Sequence, residues 1–216
     1  MILAEQRRHV AAYGRRLRAD GLVVGTSGNI SVRHGDLVAS TPSGVDYEAV
    51  TPELVCVTDL AGHLVEGELT PTSELPMHLA IYRQTEHLAV VHTHSTAATA
   101  ASTLVTELPS AHYLVALFGG PIRVSRYATY GTSELADNVI AALVDRSGCL
   151  MANHGTVTVA DRLGKAFDLA VYLEWLCEVW LRATTVGAPN LIADDEIERV
   201  RQRIAHYGQS VEQTHE

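Results

Sequence analysis

The stretch Leu88-Ala89-Val90-Val91-His92-Thr93-His94 decides how this chain is read. A short apolar run bounded by polar residues reads as a buried strand, and here the strand ends in an H-x-H pair. Side chains alternate across a strand, so positions 92 and 94 share a face. Two imidazoles so placed can reach one metal ion without distorting the backbone. In a chain with 11 histidines an isolated H-x-H pair also arises by chance, so its surroundings carry the argument.

Those surroundings supply further ligand types. His154 lies in Asn153-His154-Gly155, a tight turn between the apolar stretches 149–152 and 156–160, and Glu74 stands at an expected helix start. Three histidines with one carboxylate or water form a usual zinc set, and an exchangeable position makes such a site catalytic.

Composition narrows the class. At 216 residues and 47% hydrophobic the chain can bury a full core, and it is expected to form one domain over 1–208 with a disordered tail at 209–216. The first residues lack a secretory pattern and no apolar run approaches the roughly 18 residues of a membrane span, so a soluble, cytoplasmic protein without a membrane partner is expected. Cys56, Cys149 and Cys177 have no C-x-x-C spacing, which fits reduced thiols. A net charge of −9 argues against a nucleic-acid surface. The arginines at 7, 8, 15, 16 and 18 read as the solvated face of a helix over 3–20. Lys165 is the only lysine and is expected in solvent. Schiff-base chemistry needs a desolvated lysine, so carbonyl chemistry would rest on a metal instead.

Along the chain, 29–33 with 37–40 and 55–58 with 63–66 read as hairpins. A helix capped by Thr72 or Ser73 follows, with Pro76 tolerated in its first turn. Strand 88–92, a helical stretch from 96, strands at 114–117 and 122–125, and a helix over 133–144 come next. Strands 149–152 and 156–160 flank His154, ahead of a long amphipathic helix over 163–186 and a last helix over 194–206. This order predicts an α/β fold with a largely antiparallel sheet covered by helices, and no G-x-G-x-x-G follows a strand to indicate a dinucleotide.

Three loops share small, polar residues: Gly25-Thr26-Ser27-Gly28-Asn29, Thr41-Pro42-Ser43-Gly44 and Pro71-Thr72-Ser73. Singly each reads as an ordinary turn. Together they offer N–H, hydroxyl and amide groups that can hold a phosphate without Lys or Arg, next to Glu74.

In these motifs the chain resembles class II L-fuculose-1-phosphate aldolases, of the class II aldolase/adducin superfamily. The likeness runs from about Gly21 to Tyr207: G-T-S-G-N at 25–29, T-P-S-G at 41–44, S-E at 73–74, H-T-H at 92–94, H-Y at 112–113, Y-G-T at 130–132, N-H-G at 153–155 and Y-G at 207–208. The resemblance implies a single three-layer α/β/α domain around a mostly antiparallel sheet. It implies Zn²⁺ on His92, His94 and His154, with Glu74 a ligand at rest and the base once substrate displaces it. Gly28, Asn29, Ser43, Gly44, Thr72 and Ser73 match phosphate-binding positions. Tyr113 matches a proton donor that reaches a neighbouring subunit's site in a fourfold tetramer. Tyr130, Ile204 and Tyr207 fall at the aldehyde end. The sequence departs from the family pattern in having Thr72 where a serine is expected, and at Tyr130 and Ile204, which bear on the aldehyde.

The implied activity is cleavage of a ketose 1-phosphate, a small phosphorylated sugar, to dihydroxyacetone phosphate and a short aldehyde. Pentulose-phosphate 4-epimerases, which would carry Asp at position 74, and methylthioribulose-1-phosphate dehydratases share the scaffold. Adducin-type heads share it too but lose the metal histidines. His78, four residues after Glu74 on the same helix face, is expected to support the site or the packing. His9, His34, His63, His87, His206 and His215 read as surface residues, and Met77, Met151, Trp175 and Trp180 as core or subunit contacts.

Overall fold

In the computed structural model, which describes residues 1–204, the apolar run at 89–91 is the centre of a sheet. The elements are α1 (Ala4–Ala19), β1 (Asn29–His34), β2 (Leu37–Ser40), β3 (Cys56–Asp59), β4 (Leu64–Glu66), α2 (Leu75–Gln84), β5 (Ala89–Thr93) and α3 (Thr96–Ser102), then β6 (Glu107–Leu108), a 3₁₀ turn (Tyr113–Phe118), β7 (Ile122–Ser125), α4 (Ser133–Leu143), β8 (Gly148–Met151), β9 (Gly155–Ala160), α5 (Leu163–Val186) and α6 (Asp194–Ile204). Nine strands run in the order β4-β3-β2-β1-β5-β9-β8-β7-β6. Every pairing is antiparallel except β7 with β8.

Alternation along β5 explains the three layers. Val90 packs with α2 and α4 on one face, while Ala89 and Val91 pack with α1 and α5 on the other. All three are fully buried, so β5 has no solvated face and reads as a continuous apolar run. On β9, Val157 and Val159 join the α2/α4 layer, and Ala160 joins the α1/α5 layer. The C-terminal half of α5 closes a third cluster with α3, the 3₁₀ turn and α6. Burying each such Val or Leu stabilises by roughly 1.5–3 kcal/mol. The sheet is therefore held from both sides at the point where His92 leaves it.

Two local expectations need correction. Residues 114–117 are not a strand but a 3₁₀ turn, entered at His112, whose ring accepts from Leu114 N at 3.3 Å, and closed by Gly119 at φ 90. A four-residue apolar run has no length with which to separate strand from helix. The strand beside β7 is instead β6, where Leu108 pairs with Ile122. Neither Thr72 nor Ser73 caps α2: Glu74 holds the cap position without a side-chain cap bond, and Thr72 Oγ1 accepts from Glu74 N at 3.3 Å. The Glu74 side chain is taken up by histidines instead. Among the described residues no helix is long and apolar enough to cross a membrane. The cysteines are buried free thiols, and Lys165 is exposed as expected. Tyr207, His206, His215 and the 209–216 tail lie outside the described residues.

Candidate active site

Strand register sets the first contacts. Asn29 opens β1 directly across from His92, and His92 lies across from Val157 on its other side. The ladder continues past the end of β5, where His94 N donates to Leu22 O at 3.1 Å. The Glu174 carboxylate then accepts from Ala97 N and Ala98 N, 2.8 Å each, satisfying N–H groups that the first turn of α3 leaves free. His94 is thus held between two fixed segments.

His154 arrives from the β8–β9 turn. Asn153 adopts φ 55, which Asn tolerates better than most residues, and His154 N donates to Met151 O at 3.1 Å. Gly155 follows because β9 there runs against the backbone of Thr93, where a Cβ would have no room.

The four side chains meet at one point. One ligand atom from each of Glu74, His92, His94 and His154 lies within 4.8 Å of every other. His92 Nε2 stands 2.8 Å from Glu74 Oε2 and 2.9 Å from His94 Nε2, and His154 Nε2 stands 3.4 Å from Glu74 Oε1. His92 Nδ1 donates to Thr156 O at 2.8 Å, which leaves the Nε2 lone pair aimed inward when the ring is neutral. Glu74 Oε1 is buried without a hydrogen-bond partner. Converging ring nitrogens and an orphaned carboxylate oxygen fit a divalent metal ion, and this donor set suits zinc.

Electrostatics prepares the same cluster. Burial, reinforced by the His92 charge, pulls His94 down to about 3 and His154 down to about 4. For His92 burial is outweighed by the facing Glu74 carboxylate, and its pKa is raised. Burial alone would raise Glu74, but the His92 ring holds the carboxyl well below its usual range. Two rings are therefore neutral and ready to ligate, while the third is paired with the carboxylate.

Beside the cluster opens a pocket of about 330 Å³, lined in part by Gly28, Asn29, Ser43, Gly44, Thr72 and Ser73, together with Glu74, His94, His154 and Tyr130. Its walls are pinned by backbone bonds: Thr72 N to Thr41 O at 3.1 Å and Ser43 N to Thr70 O at 2.9 Å hold the second and third loops together. Tyr47 OH donates to Gly28 O at 2.6 Å and fastens the first. Gly28, at φ 74, presses so closely on β5 that a Cβ would sit 2.7 Å from His92 O. Among the described residues no Lys or Arg lines the pocket, so an anion there meets N–H groups, hydroxyls, an amide and the α2 N-terminus.

Two expected site residues lie elsewhere, and a third falls outside the described residues. Tyr113 is outside the pocket lining and 47% exposed, beside the edge-on pair His112–Trp175. Ile204 ends α6 and packs against the third core cluster. Tyr207 is beyond the described residues. Tyr127, Tyr47 and Glu174 escaped sequence reasoning. Tyr127, an aromatic three residues before Tyr130 in the same polar loop, carried a signal in that spacing. Tyr47 and Glu174 act across the fold and carried none.

Comparison with known proteins agrees with this geometry. The family model described as "Class II Aldolase and Adducin N-terminal domain" matches residues 8–181. A 5-deoxy-D-ribulose 1-phosphate aldolase of Bacillus thuringiensis is 40% identical over 97% of this chain and 100% of its own length. An L-fuculose phosphate aldolase of Escherichia coli is 37% identical over 89% of this chain and 91% of its own. A solved structure of an L-fuculose 1-phosphate aldolase superposes with a TM-score of 0.92 at 36% identity, covering 95% of this chain and 98% of that one. With the fold, the three histidines and the glutamate all in place, the chain belongs to the class II aldolase and adducin N-terminal domain family.

Proposed function

We propose that this protein is a zinc-dependent aldolase that reversibly cleaves a ketose 1-phosphate to dihydroxyacetone phosphate and a short aldehyde such as lactaldehyde. The observation that carries the reading is the convergence of Glu74, His92, His94 and His154 on one edge of a lysine-free, donor-lined pocket. L-Fuculose 1-phosphate and 5-deoxyribulose 1-phosphate are the substrates to try first, since similar proteins are named for them. The retained histidines speak against a non-catalytic adducin-type role, and glutamate at 74 against an epimerase.

His92, His94, His154 and Glu74 would hold the metal. When bound, the ion supplies Lewis-acid stabilisation of negative charge on the sugar's carbonyl-side oxygens. Gly28, Asn29, Ser43, Gly44, Thr72 and Ser73 hold the phosphate away from the breaking bond and fix the ketose against Glu74. Glu74, freed from its resting contacts, moves the carbon-bound proton of the dihydroxyacetone phosphate half. Tyr113, exposed and outside its own chain's pocket, would protonate or deprotonate the aldehyde oxygen from the neighbouring subunit of a cytoplasmic homotetramer. Tyr130, from the pocket lining, would face the aldehyde end, where Ile204 and Tyr207 would join it.

The test is release of dihydroxyacetone phosphate from a panel of ketose 1-phosphates and 5-phosphates, with and without chelator. Chelator-sensitive release from 1-phosphates alone is expected. Release indifferent to chelators, or turnover of 5-phosphates without carbon–carbon cleavage, would overturn the reading.

A further inference from the structure

Behind Glu74 a file of buried polar side chains runs into the α2 layer. Asn29 Nδ2 donates to Glu74 Oε2 at 3.0 Å. Asn29 Oδ1 lies 2.6 Å from His78 Nε2, His78 Nδ1 lies 2.6 Å from Ser31 Oγ, and Ser31 Oγ lies 2.7 Å from Tyr82 OH. Ser31, His78 and Tyr82 are essentially inaccessible to water. Such a file is costly to bury unless every member is satisfied.

Donor and acceptor rules fix the end of the file nearest Glu74, and burial fixes the rest. An ionised carboxylate only accepts, so Asn29 must turn its amide N–H₂ to Glu74 and its oxygen to His78. That oxygen cannot donate, so His78 carries a proton on Nε2. Fully buried between the neutral Asn29 and Ser31, the ring stays neutral, so Nδ1 accepts from Ser31 and Ser31 accepts from Tyr82. All four bonds point the same way, from the core to Glu74. Asn29 also lines the pocket, so the amide that faces Glu74 stands beside the proposed phosphate position.

We propose that His78 is a positioning residue for this site: by donating from Nε2 it locks the Asn29 amide so that one side chain sets the Glu74 carboxylate and meets the substrate phosphate. The proposal rests on the aldolase reading for its catalytic consequence alone. Without the lock the amide can turn its oxygen toward Glu74, where two acceptors would face each other. His78→Leu removes the donor at similar volume, and His78→Gln restores an N–H near the Nε2 position.

Three readouts test it in the full-length protein. In preparations matched for metal content, His78→Leu should lower kcat for dihydroxyacetone phosphate release by about 10–100-fold, as loss of a buried partner of a metal ligand does. His78→Gln should recover most of that loss. Titration with inorganic phosphate should show weaker binding in the leucine variant and recovery in the glutamine variant. Nitrogen NMR of the wild-type ring should show a neutral Nε2–H tautomer. A leucine variant with kcat and phosphate affinity near wild type, a glutamine variant no better than leucine, or a ring without a proton on Nε2 would overturn the proposal. If the wild type cleaves no ketose 1-phosphate, the aldolase reading falls while the tautomer and the phosphate titration still decide the role of His78.

Discussion

Gly155→Ala should separate two strands at the point where the histidines meet. The glycine lies in β9 at an ordinary φ, so backbone strain plays no part in the expected effect, and what matters is contact. A Cβ at 155 would fall far inside van der Waals distance of Thr93 O, and at 3.2 Å from Thr93 C and 3.5 Å from His92 Cε1. Both Thr93 atoms are backbone, so no side-chain rotation relieves the overlap. Restoring ordinary separations of about 3.5–4.0 Å requires β9 to move by about 1.5 Å or more. Metal–ligand distances tolerate only about 0.2 Å, so His154 would leave the reach of the other three ligands. Overpacking of this kind destabilises by roughly 1–3 kcal/mol. At roughly 2–4 °C per kcal/mol for a domain of this size, Tm should fall by about 2–12 °C. Elemental analysis and thermal unfolding of the purified variant check both parts. A variant that keeps one tightly bound metal per chain and its wild-type Tm would refute the packing argument.

Three further outcomes are expected. Glu74→Gln should keep the fold and most of the metal but lose turnover by about 10²–10⁴-fold, because an amide cannot take up the proton; near-normal cleavage would remove Glu74 from the mechanism. Tyr113→Phe should impair carbon–carbon cleavage more than exchange of the carbon-bound proton of dihydroxyacetone phosphate, and mixing it with Glu74→Gln chains should regenerate some activity; no recovery in confirmed hybrids would rule out a shared site. At pH 6, below the raised pKa of His92 and above the values near 3 and 4 of His94 and His154, zinc uptake should release close to one proton per chain. That release should fade as pH rises through the His92 value, and calorimetry in buffers of different ionisation enthalpy measures it; release of three protons at pH 6 would contradict the charge assignment.

Much of this protein was decided by its sequence alone. Period-two alternation and buried apolar runs mark the strands flanking His92 and His154 within a residue or two, and the 3–4 spacing from Leu163 to Val186 marks α5 to the residue. These signals survive because they are local: one strand or one helix buries its own pattern. The histidines of the candidate metal group were legible for the same reason, since His92 and His94 belong to one strand end and His154 to one turn. What only the tertiary structure decided is everything that depends on register between segments distant in sequence. Nothing local places Asn29 across from His92, sets Tyr47 under the Gly28 loop, or brings Glu174 to the first turn of α3. The same holds at 114–117, where His112 and Gly119 outweighed an apolar run too short to choose its own conformation. Hydrogen-bond partners 45 or more residues apart, such as Glu74 with Asn29 and Asn29 with His78, exist only once the sheet and α2 have packed, because burial turns a modest contact into an obligatory one.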